Sequence, residues 1–491
     1  MSLTKATYSM IEGAPANVLD YGAIGNGIAN DTAAFVAALA ASSVVYVPQG
    51  TFAVENLSIP SGKSLIGSGA PSILKIVSGS ANAVINMASK DDWTISNLTL
   101  DADDTGTTIA LFVSCNRGKI ENVWATGSTV HGIDLNNCSR CTIDNVEVYS
   151  TGGNSACAAI YLKNFVADGS FNRVSNVIFR NINGRGIHII GNNYTQVDTV
   201  NGLMTNGEIL LIEEATGCVC TNLVMAGSEP AAAALSDAIA INGGSFYNTI
   251  SGFHVSVNSG HGVSINGQTA QTGASYNTVA NGTVVNSDEG GVIITDQGVA
   301  GSVPVGNVVS NVVVENAGRS IVSESFGVSG GTDNIFVNCI SKDSQGSPTT
   351  TFGFTEVDGA NTAARNNFSG HFLGTYTVGN FNITASTSAA RSTRAATTDT
   401  WVVFDGATGA TATIINSRNV ATVVRNSTGN YTISAAEPIE VNCMITAIAR
   451  TFAGNNYVQI DSAPIPNAVT IQVRTDAGTP NDSDYICVRM G

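Results

Sequence analysis

Ionisable residues recur in this chain at fixed offsets from short apolar strands, and that placement gives them chemistry. His131, Arg185, Asp237, His261 and Arg319 each stand two residues before a strand's first apolar residue. Asp134, Tyr161, His188 and Ser264 each stand one residue after it. Side chains that recur at one offset in a repeat line up as outward columns, and polar, aromatic and charged groups along such a column form a groove suited to a sugar chain. Hydrolysis of a glycosidic bond needs two carboxyl groups flanking it. Glu208 and Asp237 fall on successive repeats, with Glu213 and Glu214 just past the same strand as Glu208. These two acids are read as acid and base or nucleophile, with His261 beside them as the third catalytic residue. Arg185, His188, Tyr161, Asp134 and Ser264 are read as substrate-binding. Arg185 either clamps a substrate carboxylate or pairs with Glu208 or Asp198. A rival chemistry is β-elimination, in which a base removes the proton α to a uronate carboxyl while a cation steadies that carboxyl. Tyr161, His188 and Arg185 on neighbouring repeats answer to it. A third possibility is a groove that binds without reacting.

The elements that must position these groups come from the repeat itself. The strand markers run Ile85, Ile109, Ile133, Ile160, Ile187, Ile209, Ile239, Val263, Val292, Ile321, a step of about 26 residues. A second series runs Ile95, Ile120, Ile143, Val174, Val197, Val219, Ile250, Val279, Val309. Each repeat holds short β-branched strands and no 3.6-residue pattern. One such repeat cannot bury its apolar face alone, but a stack can, which predicts an all-β, right-handed parallel β-helix. Asn97, Asn122, Asn145, Asn176, Asn222, Asn281 and Asn311 close a turn in the second series. Asparagine tolerates left-handed backbone angles, and stacked in register its amides are expected to bond from rung to rung.

Composition sets limits. A net charge of −16 argues against a nucleic-acid partner, and no apolar run is long enough to insert in a membrane. Residues 1–20 hold no apolar stretch, so no signal peptide is expected. The nine cysteines sit mostly at strand or turn positions and read as small buried hydrophobes, which suits assembly in a reducing cytoplasm. Cys138 and Cys141 have metal-like spacing without a second pair, and Asp101, Asp103 and Asp104 read as a solvated turn. Neither a metal nor another cofactor is expected.

The ends differ from the middle. Asn30 or Asp31 is placed to cap a helix over Thr32–Leu39, and such a helix would cover the open apolar end of the coil. A strand follows at Val44–Val47. The stretch NVLDYGAIGNGIANDTAAFVAAL, followed by VVYVPQGTF, resembles the opening of pectate-lyase-superfamily proteins, above all phage tailspikes that depolymerise polysaccharides. Residues 386–400 are small and polar and read as a linker. From Trp401 eight short alternating strands (WVVF, ATATII, VATVVR, YTIS, MITAIA, YVQI, AVTIQVR, YICVRM) predict a β-sandwich. This end resembles the C-terminal domains of phage tail fibres and spikes, which trimerise or bind receptors.

SDAIAIN at Ser236–Asn242 and GHGVS at Gly260–Ser264 resemble polygalacturonase motifs, with Asp237 on the second aspartate and His261 on the histidine. Ser236 replaces the first aspartate, and the family's Arg-x-Lys motif is absent. His131-Gly132 repeats the His-Gly pair elsewhere, so the pair also reads as the way this coil starts a strand. The expected organisation is a tail over 1–17, a cap and first rungs over 18–80, a parallel β-helix over 81–385, the linker, and the sandwich over 401–491. These resemblances imply a homotrimeric virion spike on a phage tail or baseplate that is assembled in the host cytoplasm and cleaves capsule or O-antigen at the bacterial surface.

Overall fold

The computed structural model describes residues 13–383 except 155, 165–169, 227–236, 269–270, 320–322 and 375, and beyond them eight strands between Thr400 and Met490. The chain divides into two compact units, Met1–Thr393 and Arg394–Gly491. The expected linker falls almost wholly outside the described residues.

The first unit is a parallel β-solenoid. Each turn gives one strand to a long sheet of 17 strands and one to a second sheet of 12, and the pairing of successive turns is parallel throughout. Register explains the apolar beat. Ile95, Ile120, Ile143, Val174 and Val197 are Cα partners in one stack; Ile133, Ile160 and Ile187 are partners in the other. All are buried. β-Branched side chains on a pleated surface pack well on their own kind.

Three markers sit one residue off the stacks. Ala110, Leu210 and Cys220, rather than Ile109, Ile209 and Val219, pair with the neighbouring rungs. Ile109 and Ala110 are both buried, as are Ile209 and Leu210, so hydropathy alone does not choose within those pairs, whereas Val219 is exposed beside buried Cys220. Ile321 lies outside the described residues, and Phe326 holds that place in the stack above Val292. The coil continues to Ile383 with phenylalanine in place of the aliphatics: Phe326, Phe336, Phe354 and Phe368 form one ring cluster. That substitution is why the beat fades near residue 345.

The helix Thr32–Ala41 buries Ala34, Phe35, Ala38 and Leu39, and Phe35 meets Phe52 edge-on at 5.6 Å. Asn30 Oδ1 accepts from the amide of Thr32. Asp31 instead turns back and accepts from the amides of Ile24 and Gly25 at 2.7 and 3.1 Å, pinning the preceding loop. The ammonium of Lys63 bonds the carbonyl of Leu39 at the negative end of the helix.

The outer asparagine ladder exists in two runs. Asn122 donates to Asn97 and Asn145 to Asn122 (3.0 and 2.6 Å); Asn311 donates to Asn281 and Asn338 to Asn311 (3.1 and 2.7 Å). Between the runs Asn176, Asn222 and Asn281 donate to Asp144, Asp198 and Ser251. There Thr199 and Gly252 take the left-handed turn position. A second, fully buried ladder climbs through Asn248, Asn277, Asn307, Asn334 and Asn366. From Asn277 on, each side-chain oxygen accepts both the amide Nδ2 and the backbone N–H of the asparagine one rung before, at 2.9–3.1 Å.

The second unit is eight antiparallel strands hydrogen-bonded in one continuous order. Each matches one of the alternating segments read from the sequence. The seven cysteines described in the first unit are buried free thiols.

Candidate active site

The outer face of the twelve-stranded sheet carries the eight residues read as catalytic or substrate-binding, in two groups joined by a hydrogen-bonded chain. The first group is built on strands His131–Asn136, Ala158–Lys163 and Arg185–Ile190. Their register puts Asp134, Tyr161 and His188 in one column. The rings of His131 and Tyr161 stack at 4.5 Å, and Tyr161 meets His188 at 5.0 Å. The Arg185 guanidinium is 3.2 Å from Glu208 Oε2 and 3.3 Å from His188 Nδ1. With Nδ1 accepting from the guanidinium, His188 carries its proton on Nε2 and donates it to Glu213 Oε2 at 2.7 Å. Asp198 lies elsewhere and accepts from Thr221 and Asn222.

The second group occupies the rungs that follow. The backbone bond from Ile209 to the carbonyl of Ala238 places Glu208 and Asp237 on adjacent rungs, about 5 Å apart along the stack. Asp237 Oδ1 accepts the amide of His261 at 2.9 Å, and Oδ2 accepts the hydroxyl of Ser264. His261 Nε2 lies 3.4 Å from Glu289 Oε2. Between the groups runs a relay. Glu213 Oε1 accepts from Asn242 (3.1 Å), Asn242 from Asn266 (2.9 Å), and Asn266 also donates to Ser264 Oγ (2.9 Å).

Burial and charge tune these groups. Burial lifts the Glu208 carboxyl above its ordinary range; Arg185 pulls it back and the neighbouring Asp237 charge pushes it up. Glu213 goes the other way: burial opposes ionisation, but the His188 hydrogen bond prevails and holds its carboxyl low. The two carboxyls on this strand are thus pushed in opposite directions, Glu208 up by burial and Glu213 down by His188. Burial raises Asp134 to about 7. Its side chain is 8% exposed and its Oδ1 has no hydrogen-bond partner. Burial lowers His131 to about 4 and raises Glu289 and Glu324, the acids of the next two rungs.

One oxygen or nitrogen each from Asp237, His261 and Glu289 lie within 4.8 Å of one another, the one such cluster among the described residues. The imidazole decides what the cluster can do. Gly290 N–H donates to His261 Nδ1 at 2.9 Å, which leaves the proton on Nε2, facing Glu289. A ring in that state donates a hydrogen bond and offers no lone pair to a cation. His131 is set the same way, its Nδ1 accepting from Ala158 N–H at 3.1 Å. The His-Gly pair is therefore a strand-starting device in which the imidazole caps the next rung's amide. The glycine follows because a Cβ at Gly132 or Gly262 would lie 2.3 Å from the carbonyl of Ala159 or 2.2 Å from Val284.

The sequence read Asp237, Glu208 and His261 as catalytic and Arg185, His188, Tyr161, Asp134 and Ser264 as substrate-binding; the structure puts Ser264 on Asp237 rather than with the other four. It missed Asn242, Asn266, Glu289 and Glu324. Asn242 and Asn266 stand three residues after the markers Ile239 and Val263, a shared offset that a third column would have caught.

Residues 16–233 match the model of the family described as Rhamnogalacturonase A/epimerase, pectate lyase-like. No curated protein matches the sequence. Among solved structures, the catalytic unit of a GH87 alpha-1,3-glucanase from Streptomyces thermodiastaticus is 15% identical, with a TM-score of 0.52, over 76% of this chain and 71% of that one. The N-terminal fragment of gene product 12 from bacteriophage Phi29 is 16% identical, TM-score 0.52, over 76% and 73%. PfbA, a surface adhesin of Streptococcus pneumoniae, is 13% identical, TM-score 0.50, over 76% and 93%. At these identities the three share the fold. Residues 16–233 thus match a pectate lyase-like family model, and the coil's fold is shared with these three structures over about three quarters of the chain.

Proposed function

We propose that the protein is a phage spike that binds a bacterial surface polysaccharide, capsule or O-antigen, in the groove of the twelve-stranded sheet and hydrolyses it. The observation that carries this reading is the carboxyl pair Glu208 and Asp237 on adjacent rungs, the first raised by burial and by the second. A spacing near one rung suits a retaining mechanism, in which Glu208 protonates the leaving oxygen and Asp237 attacks the anomeric carbon. Ser264 and the amide of His261 orient Asp237; His188, Tyr161, Arg185 and Asp134 hold the sugar on the neighbouring rungs. The fold shared with a glucanase and with a phage gene product supports the substrate class and the setting. In this reading the C-terminal unit trimerises the spike or contacts the receptor, the homotrimer docks on the phage tail or baseplate, and the virion acts at the cell surface.

The test is incubation with capsule or O-antigen, following polymer length and the chemistry of the new ends. Hydrolysis yields reducing hemiacetals. Glu208→Gln and Asp237→Asn are each expected to slow cleavage by about 10²–10⁴-fold while binding persists. A second reading has its own observation, the stacked His131, Tyr161 and His188 rings beside Arg185. If elimination is the reaction, products carry an unsaturated sugar and Tyr161→Phe abolishes them, while Glu208→Gln does not. Binding without any shortening of the polymer would identify a spike that only grips its receptor.

A further inference from the structure

A turn position on the far side of the groove wall carries aromatic residues in a backbone conformation that disfavours them. Phe171, Tyr194, Tyr247 and Tyr276 all have φ between 49° and 58°, and each is about half exposed. A left-handed angle costs a residue with a Cβ about 1–2 kcal/mol. They occupy one column on successive rungs, Phe171, Tyr194, Gly217, Tyr247, Tyr276, Gly306, as the rung-to-rung amide bonds and bridges fix. The rings stack in two pairs, Phe171 on Tyr194 at 5.3 Å and Tyr247 on Tyr276 at 5.4 Å. Gly217 separates the pairs. The Tyr194 ring lies over this glycine, 2.7 Å from where its Cβ would be.

We infer that Tyr194 and Tyr247 form the two walls of a slot for one sugar ring. They stand two rungs apart, about 10 Å, so a ring midway lies about 5 Å from each, a stacking distance. That is the spacing the ladder itself adopts within each pair. Nothing from the Gly217 side chain fills the gap, and Tyr247, which opens the second pair, is the most exposed of the four at 63%. A pyranose fits such walls by chemistry: its apolar C–H faces meet the ring faces while its hydroxyls stay in water beside the phenol groups. The column from Phe171 to Gly306 carries no formal charge, which suits an uncharged ring over a phosphate or a basic peptide. Three residues separate Glu213 from Gly217, so the slot lies no more than about 14 Å along the chain from the groove wall. This inference rests on the polysaccharide reading and adds a second holding point outside the reacting pair.

The test uses the full chain carrying Glu208→Gln, so that bound glycan is not consumed, on an array of defined bacterial O-antigen and capsular oligosaccharides. Tyr247→Gly is the variant. Glycine already serves this column at Gly217 and Gly306, so the rung keeps its backbone. Tyr149→Ala, a half-exposed tyrosine of the other sheet, is the control. The expected result is binding about tenfold weaker for Tyr247→Gly and unchanged for Tyr149→Ala. Equal binding by Tyr247→Gly and its parent would overturn the slot and leave the groove reading standing. No glycan retained by the parent would overturn both.

Discussion

At the scale of single residues, the groove is a set of protons whose positions are fixed by backbone. His131 and His261 each spend Nδ1 on the next rung's amide, so each presents an Nε2 proton outward. Protonating Nδ1 breaks that bond. His131, held at about 4 in the folded chain against an ordinary value near 6.5, stays neutral while the unfolded chain takes up a proton. The unfolded state then binds more protons, so this contribution is full above about pH 6.5 and is lost as pH falls toward 4. His131→Gln keeps an acceptor without titrating. Thermal melts at pH 7 and pH 4.5 are expected to differ less for that variant than for the parent. Glu208 works the opposite limb. As a general acid it acts protonated, so cleavage falls as pH rises through its elevated value. If Glu208 is the acid of the proposed mechanism, the pH–rate profile is expected to show that fall above the ordinary glutamate range, and Glu208→Gln to erase it.

At the scale of elements, the two asparagine ladders divide the work of holding rungs together. The outer one was legible, because Asn recurs at one turn offset. Its breaks were not, because they depend on which acceptor, Asp144, Asp198 or Ser251, sits beside the amide. The inner ladder was missed although Asn248 and Asn277 share the run Tyr-Asn-Thr: nothing in a polar residue before a strand tells that it points inward. The difference is measurable. Asn277→Ala removes the acceptor that the backbone amide and side chain of Asn248 share, while the carbonyl of Ser245 keeps the amide of Ser275. Leaving such groups buried and unpaired costs about 1–3 kcal/mol each, so denaturant unfolding is expected to register several kcal/mol. Asn311→Gly, on the exposed ladder at a left-handed position, is expected to cost under about 1 kcal/mol. The groove was readable to the same depth. Column arithmetic found the groups that touch substrate in the proposed mechanism and would have reached Asn242 and Asn266 at a third offset, whereas the contact of Glu289 with His261 emerges only once side chains have directions.

At the scale of the whole molecule, stability is a sum over neighbours. Each rung contacts the rungs before and after it, and the C-terminal sheet is a separate compact unit. Cooperativity in such a chain is limited in range. Calorimetry of the full chain is expected to give a van't Hoff enthalpy below the calorimetric one; equality would mean that the two units and all rungs melt as one body.

The buried asparagines have one more effect. Every side-chain carbonyl from Asn277 to Asn366 points back toward the rung before it, and the last amide donates to the Glu356 carboxyl at 3.0 Å. Five amides in file, all facing one way, add their dipoles as the peptide units of an α-helix do. The parallel backbone alternates its bonds up and down and has no such bias. The coil therefore has an electrical direction along its axis, with the positive pole resting on a carboxyl group sealed in the interior.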